Sequence, residues 1–366
     1  MQAVQFHDFN DARIEEAEKP EPQDHEVLIK VNRVQLSVTE CKLYRGERIA
    51  HYEQILRRLE NPPALMLGHE FMGTVTEVGS SVTSFTPGDR VYAPGKIACL
   101  DCQYCRVGMA NYCVNKTQIG YDIPGGLAEF VTLPEYPLRL LPDGVTDAQG
   151  AAMQPLASAV GTVGAAGIGE GDIVAVVGCG VMGYQCAQLA HHEGARAVLA
   201  IDIDPVKLDF AEQRGLIPIN VTESNAAEVI DEFTNGIGAD VVFEAVGGNQ
   251  QNGTVGNDPL AQAIRIARRG GQVVQVGHII DEITITPRIV QSKRVDWVSP
   301  PPGVFDLSPN TNTGDLAGEL VANGTIVIDD FITHELTSLD AFEEMVEITL
   351  DKPAFDALGP AQIVIN

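Results

Sequence analysis

Basic residues are scarce in this chain. Its 366 residues include 24 lysines and arginines against 50 aspartates and glutamates, which gives a formal net charge of −26. Binding to nucleic acid requires a basic surface, so the composition excludes nucleic acid as a partner. The acidic residues are scattered rather than gathered in a tail. An acidic, lysine-poor surface suits a high-salt cytoplasm as well as an ordinary acidic enzyme, and both interpretations remain open.

Long apolar runs and an export signal are also missing. No apolar run approaches the ~20 residues that a membrane-spanning helix needs. Residues 1–16, MQAVQFHDFNDARIEE, lack the basic and then apolar pattern of a signal peptide. We therefore expect a cytoplasmic protein without a membrane partner. The sequence contains no internal repeat and no low-complexity tract.

Seven cysteines are present, and four of them lie within the segment CLDCQYCRVGMANYC. Such clustering in a large chain indicates metal binding rather than disulfides. The spacing C-x2-C-x2-C-x7-C allows four thiolates to surround one Zn²⁺ at ~2.3 Å. The predicted ligands are Cys99, Cys102, Cys105 and Cys113. Because all four positions are filled, we expect a structural zinc ion, with an iron–sulfur cluster as the alternative.

The pattern of secondary structure changes near residue 150. Before it, HEVLIKVNRVQLS, FMGTVTEVGSSVTSFTPGDRVYA and GGLAEFVTLP predict short strands separated by turns. After it, apolar strand patterns such as DIVAVVG, AVLAID, ADVVFEAVG and QVVQVG alternate with helical patterns. This alternation is typical of an α/β fold with a parallel sheet covered on both faces. In the first part, HYEQILRRLE also predicts a short helix, which could shape a substrate pocket or lie on the surface.

A glycine-rich turn follows the strand DIVAVVG and opens a helix. Its G-x-G-x-x-G spacing allows a tight turn and close approach of backbone N–H groups to a pyrophosphate. Asp202 ends the next strand, 19 residues after Gly183, where a carboxylate can bind the adenosine ribose. No arginine follows it directly to hold a 2′-phosphate, so NAD is favoured over NADP. The predicted cofactor-binding residues are Gly178, Gly180, Val181, Met182, Gly183 and Asp202, with Asp204 a weaker candidate.

These motifs together resemble those of a known family. LGHEFMGTVTEVGSSVTSFTPGDRV, the four-cysteine segment and GCGVMG occur in the order found in zinc-containing medium-chain dehydrogenases/reductases, the alcohol, sorbitol and threonine dehydrogenase group. The resemblance implies a GroES-like β-rich catalytic domain at 1–156, with a structural zinc lobe at 99–113. A Rossmann NAD-binding domain would follow at 157–297, and 298–366 would complete the catalytic domain. Family members also suggest a homodimer or homotetramer.

The resemblance places the family's catalytic residues on this chain. Aligning the family's C-G-(S/T)-D motif with SVTECKLYRG puts Ser37 at a zinc-ligand cysteine, Thr39 at the proton-relaying hydroxyl and Glu40 at the aspartate. His69 and Glu70 match the family's GHE motif. Gln154 in QPLA replaces the glutamate of EPLA, and Ser158 would face the nicotinamide.

Two of the four positions at which the resemblance places zinc ligands, Ser37 and Gln154, thus carry poor donors for Zn²⁺. Three interpretations remain open. Zinc could bind His69 and Glu70 with Glu40 or Cys41 as a substitute anion. The metal could be lost, leaving Thr39, Glu40, His69 and Glu70 as an acid/base cluster. A metal could also be recruited only with the substrate.

The expected function is NAD-dependent hydride transfer from a secondary alcohol, polyol or sugar-like hydroxyl, a small-molecule substrate. Two alternatives remain. Without a catalytic zinc, the fold could support double-bond reduction or a cofactor-assisted lyase or epimerase step. The chain could also be a non-catalytic NAD-binding protein.

Overall fold

The computed structural model describes residues 1–93, 95–248, 258–280, 282–300 and 312–365. The chain divides into two compact units, Met1–Ala157 with Val304–Asn366, and Ser158–Gly303. The sequence predicts borders at 156/157 and 297/298. Most of the proline-rich loop that the sequence predicts at 299–314 lies outside the described residues.

The strands and helices are numbered along the chain. The strands are β1 (Gln2–Asp8), β2 (Asp11–Glu16), β3 (Glu26–Gln35), β4 (Glu70–Val78), β5 (Arg90–Tyr92), β6 (Lys96–Ile97), β7 (Thr117–Gln118), β8 (Phe130–Pro134), β9 (Arg139–Leu140), β10 (Ile173–Val177), β11 (Ala197–Asp202), β12 (Ile217–Asn220), β13 (Ala239–Glu244), β14 (Ala267–Gln275), β15 (Asp296–Val298), β16 (Glu335–Thr337) and β17 (Gln362–Val364). The helices are α1 (Val38–Tyr44), α2 (Tyr52–Arg58), α3 (Asp147–Ala151), α4 (Met153–Ala166), α5 (Val181–His192), α6 (Pro205–Gln213), α7 (Ala226–Phe233), α8 (Pro259–Ile266), α9 (Pro287–Lys293), α10 (Thr313–Ala322) and α11 (Phe342–Leu350).

The first unit is built around a seven-stranded sheet. The strands follow the order β16-β17-β3-β4-β5-β9, and β8 also pairs with β3. Strand β3 is central because it pairs antiparallel with β4, β8 and β17. The C-terminal strand β17 therefore completes the sheet that the N-terminal part of the chain begins. Apolar side chains from β3, β4, α1 and α11 form one buried core against this sheet.

The second unit contains a six-stranded parallel sheet in the order β12-β11-β10-β13-β14-β15. All five residues of β10, IVAVV, are buried, as expected for a central strand of a sheet covered on both faces. From β10 the chain adds strands first on one side, β11 and β12, and then on the other, β13 to β15, so the strand order reverses beside β10. Ligands of such sheets bind at this reversal, beyond the carboxyl ends of the strands. The glycine-rich turn follows β10 directly.

One helix ends earlier than its sequence pattern predicts. The stretch DPLAQAIRIARRGG predicts one helix, yet α8 ends at Ile266 and β14 begins at Ala267. Gly270 adopts a φ of +65°, which a helix does not allow. Arg268 pairs with Asp240 at 2.5 Å, which holds the segment against the neighbouring strand.

No helix among the described residues is long and apolar enough to cross a membrane.

Candidate functional site

The four cysteines of the 99–113 segment converge on one point. Their sulfur atoms lie within 4.8 Å of one another, and no other group of three or more His, Cys, Asp or Glu donors in the described part of the chain does so. Backbone N–H groups of Cys105 and Val114 lower the pKa of Cys102 to about 6, which favours the thiolate that binds zinc. The geometry and donor chemistry fit one tetrahedral Zn²⁺ with no open position.

The glycine-rich turn after β10 requires its glycines for close packing. Gly178 has a φ of +92°, and a Cβ there would lie 2.8 Å from Val246 Cγ2. A Cβ on Gly183 would lie 1.8 Å from the carbonyl oxygen of Gly178. Gly180 differs, because a Cβ there would meet no atom of the chain within 4 Å. Gly180 is the N-cap of α5 and has no side-chain cap, so the helix N-terminus is open to an anion.

Asp202, at the end of β11, is bound to this turn. Its Oδ2 accepts a hydrogen bond from Cys179 N at 2.6 Å, and its Oδ1 accepts from Ile203 N and Asp204 N at 2.7 and 3.0 Å. Asp204 instead caps α6 by accepting from Val206 N at 3.0 Å. Asp202 is therefore the carboxylate beside the glycine-rich turn, and Asp204 has a structural role.

In the first unit, Ser37, Glu40, His69 and Glu70 come together, and we call them the His69 cluster. Ser37 caps α1 and forms a capping box with Glu40: Ser37 N donates to Glu40 Oε2 at 3.0 Å, and Glu40 N donates to Ser37 Oγ at 3.2 Å. Glu40 Oε1 accepts hydrogen bonds from Gly68 N at 2.7 Å and His69 N at 3.1 Å. The Glu40 carboxylate thus joins the start of α1 to the loop before β4.

His69 lies between two carboxylates. Its Nδ1 is 2.9 Å from Glu40 Oε1, and its Nε2 is 3.7 Å from Glu70 Oε1. Burial alone would lower the pKa of His69, but the charges of Glu40 and Glu70 outweigh it and the net shift is upward. Burial alone would raise the pKa of Glu40, but His69 and the backbone N–H groups of His69 and Ser37 lower it overall.

Glu70 is held by a chain of side-chain amides. Its Oε2 accepts a hydrogen bond from Gln35 Nε2 at 2.6 Å, and Gln35 Oε1 accepts from Gln362 Nε2 at 3.0 Å. Burial raises the pKa of Glu70 to about 7; the charge of His69 and the hydrogen bond from Gln35 lower it by less, and Glu40 adds a smaller upward effect. The sequence alone gives no signal for the contact between Gln35 and Gln362, because these residues are 327 positions apart.

Tyr121 and His51 are also near the His69 cluster, and no sequence motif predicts either. The Tyr121 ring lies 5.5 Å from that of His69 and 4.7 Å from that of His51. Burial raises the pKa of the Tyr121 hydroxyl far above the ordinary value, and Ser37 offsets part of this rise. Tyr121 follows the zinc lobe in a turn, IGYD, whose sequence predicts only a loop.

The remaining predicted residues lie on α1 and α4. Thr39 is half-buried in the first turn of α1. Gln154 and Ser158 lie one turn apart on α4, where they are the partly exposed positions among buried neighbours. A Cβ on Gly95 would lie 3.3 Å from His69 Cδ2 and 3.5 Å from Gln154 Nε2, so Gln154 lies close to His69.

The His69 cluster does not fit a catalytic zinc ion. Catalytic zinc sites use three protein ligands drawn from thiolate, imidazole and charged oxygen. Here His69 and Glu70 supply two, while Ser37 and Gln154 offer a neutral hydroxyl and a carboxamide.

Two family models match the chain. The alcohol dehydrogenase GroES-like domain matches residues 23–143, and the zinc-binding dehydrogenase domain matches residues 181–299. These ranges contain the four-cysteine lobe, helix α5 and the strands of the parallel sheet that follow β10. The predicted family and fold class are confirmed.

Similar proteins are named as dehydrogenases. The L-threonine 3-dehydrogenase of Sinorhizobium fredii is 35% identical over 229 residues, 62% of this chain, and the match spans only 64% of that protein. The sorbitol dehydrogenase of Halalkalibacterium halodurans is 34% identical over 72% of each chain. The solved structure of an alcohol dehydrogenase from Thermus sp. ATN1 superposes with a TM-score of 0.80 at 27% identity, covering all of both chains. This chain belongs to the zinc-containing medium-chain dehydrogenase/reductase superfamily.

Proposed function

We propose that the protein oxidises a secondary alcohol or polyol to a ketone with NAD⁺ as the hydride acceptor. The observation that carries the proposal is the glycine-rich turn at the strand-order reversal of a parallel sheet, with Asp202 bound to it. The relatives' names, threonine, sorbitol and alcohol dehydrogenase, support a hydroxyl substrate. The sugar-like hydroxyls of the sequence-based expectation remain within this substrate class.

The cofactor site is formed by elements of the second unit. The N-terminus of α5 presents backbone N–H groups to an anion, and the bare Cα of Gly180 allows a pyrophosphate to approach. Val181 and Met182 begin the helix beside it. The Asp202 carboxylate would accept hydrogen bonds from the adenosine ribose, and Ser158 is the proposed contact to the nicotinamide. The bound nicotinamide would supply the hydride acceptor.

The His69 cluster is the proposed site for the substrate oxygen. Loss of hydride from the carbinol carbon requires that the hydroxyl proton leave for a protein acceptor. Thr39 is proposed to relay that proton, while Glu40 orients the His69 ring through its Nδ1 side. Glu70, whose pKa is raised to about 7, can gain or lose a proton near neutral pH. Together, Thr39, Glu40, His69 and Glu70 are the proposed catalytic residues.

A spectroscopic assay tests the proposed reaction. Purified protein, NAD⁺ and a panel containing sorbitol, xylitol, 2,3-butanediol and L-threonine should give the absorbance of reduced nicotinamide with at least one substrate. Thr39→Val should lower kcat about 100-fold, the size of a lost proton-transfer group, with little change in NAD⁺ binding. Protein that binds NAD⁺ yet is inert across the panel contradicts the proposal.

Assembly and location complete the proposal. Following the family resemblance, the protein is proposed to act in the cytoplasm as a homodimer or homotetramer. Size-exclusion chromatography with light scattering distinguishes these assemblies from a monomer of 39.2 kDa.

A further inference from the structure

We infer that this chain binds one zinc ion, in the four-cysteine lobe, and that the His69 cluster binds none. The inference concerns metal content alone and does not rest on the proposed activity. It follows from what each potential donor around His69 is already bonded to.

His69 Nε2 and Glu70 Oε1 are the two donors that a metal could use. They are 3.7 Å apart, so one ion could contact both. The other Glu70 oxygen already accepts a hydrogen bond from Gln35 at 2.6 Å. A two-coordinate protein site leaves zinc one ligand short of the three that catalytic sites provide.

Ser37 is a poor source of the missing ligand, because its hydroxyl is neutral and already caps α1. It donates its one proton to Glu40 Oε2 at 3.2 Å and accepts from Glu40 N at 3.2 Å. Zn²⁺ prefers thiolate, imidazole or charged oxygen to a neutral hydroxyl. Ser37 is therefore a helix cap in this protein rather than a metal ligand.

Glu40 cannot act as the substitute anion either. Its Oε1 lies on the Nδ1 side of His69, whereas Glu70 lies on the Nε2 side. Its two oxygens also accept hydrogen bonds from three backbone N–H groups, those of Ser37, Gly68 and His69. Moving Glu40 to the Nε2 side would break the α1 cap and leave buried N–H groups unpaired.

Cys41 is excluded by its position. It is fully buried, belongs to the core packed against α11 and contacts Thr349. Gln154 lies near His69 but offers a neutral carboxamide, a poor ligand for Zn²⁺. Within the described residues, no third His, Cys, Asp or Glu donor lies close enough to complete a site with His69 and Glu70.

Zinc content per chain tests the inference. The protein is dialysed against buffered micromolar zinc, and zinc is measured by inductively coupled plasma mass spectrometry. We expect one zinc per chain for the wild type; two or none overturns the inference. X-ray absorption at the zinc edge should show four sulfur ligands and no imidazole, and an imidazole contribution would likewise overturn it.

A double variant tests whether Ser37 and Gln154 account for the missing second zinc ion. Ser37→Cys with Gln154→Glu restores a thiolate and a carboxylate beside His69 and Glu70, and should raise the content to two zinc ions per chain. Ser81→Cys with Gln213→Glu makes the same changes at exposed positions and should stay at one. If the Ser37→Cys, Gln154→Glu variant folds but still binds one zinc ion per chain, these two residues are not what prevents a second zinc from binding. The wild-type absorption spectrum decides the metal content independently if that variant does not fold.

Discussion

Glu40 is completely buried, and its negative charge is balanced by specific neighbours. The imidazole of His69 lies 2.9 Å from Oε1, and backbone N–H groups of Ser37, Gly68 and His69 donate to its two oxygens. A buried carboxylate without such partners would be strongly destabilising. The same side chain therefore stabilises the start of α1, the loop before β4 and the orientation of the His69 ring.

Replacing this carboxylate by an amide should destabilise the first unit. Glu40→Gln removes the charge opposite His69 and turns an NH2 group towards backbone donors, so we expect a loss of about 3 kcal/mol in the free energy of unfolding. Urea unfolding followed by circular dichroism measures it. Glu53→Gln, at an exposed position of α2, is the control and should change stability by less than about 0.5 kcal/mol. Equal midpoints for the two variants would contradict the role of Glu40.

A substitution at Gly180 can distinguish an effect on cofactor binding from an effect on folding. A Cβ there meets no atom of the chain within 4 Å, but it would point into the space proposed for the pyrophosphate. Gly180→Ala should therefore leave the thermal midpoint unchanged and weaken NAD⁺ binding by about tenfold or more. Gly164→Ala, on α4 with equally open surroundings, should leave NAD⁺ affinity unchanged and can only raise the thermal midpoint, because alanine favours a helix over glycine. Unchanged affinity in Gly180→Ala would remove the pyrophosphate from this turn.

At the scale of elements, α2 is attached to the first unit by a few specific contacts. Gln54 Nε2 donates to Gln118 Oε1 and to both carboxylate oxygens of Asp122 at 2.9–3.1 Å, and its Oε1 lies 2.6 Å from His51 Nδ1. The Tyr52 ring stacks on Phe9 with centroids 5.3 Å apart. His51, the N-cap of α2, contacts the ring of Tyr121, and Tyr121 in turn contacts the ring of His69.

Gln54→Ala should loosen α2 without unfolding the protein. A helix of seven residues has little stability of its own, so it depends on these contacts. Hydrogen exchange with mass spectrometry should show faster exchange in peptides covering 48–58 and no change in β10. Gln213→Ala, at the exposed end of α6, should leave both regions unchanged. Protection of 48–58 that equals the wild type would show that Gln54 is dispensable.

Much of the second unit can be predicted from its sequence, because buried parallel strands are continuous apolar runs and the helices between them are periodic. The exceptions have local causes. Strand β12, IPIN, has four residues and contains Pro218, so it gives almost no pattern. It is tolerated at the sheet edge, where a missing N–H costs little.

The candidate site is harder to predict, because its contacts are long-range. The motifs predict a site containing Ser37, His69 and Glu70, and these side chains lie near one another in the first unit. They do not show that Ser37 is a helix cap or that Glu40 faces the Nδ1 side of His69, since rotamers and hydrogen bonds decide both. Tyr121 comes from a loop whose position depends on the completed sheet.

At the scale of the whole molecule, the net charge of −26 creates self-repulsion that salt should screen. The thermal midpoint is therefore expected to rise by several degrees as potassium chloride is raised from low to molar concentration. A variant with four exposed glutamates changed to glutamine should respond less. The changed residues are Glu60, Glu170, Glu193 and Glu212. A midpoint that falls with salt, or an equal response of both proteins, would contradict this electrostatic account.

The most direct test of the account is calorimetric titration of the purified protein with NAD⁺. We expect one NAD⁺ per chain, weaker binding of NADP⁺, and an affinity reduced about tenfold or more by Asp202→Ala. Asp204→Ala, which removes the α6 cap and an ion pair with Lys207, should bind NAD⁺ as the wild type does. The account is contradicted if neither NAD⁺ nor NADP⁺ binds. It is also contradicted if Asp202→Ala binds NAD⁺ as tightly as the wild type does.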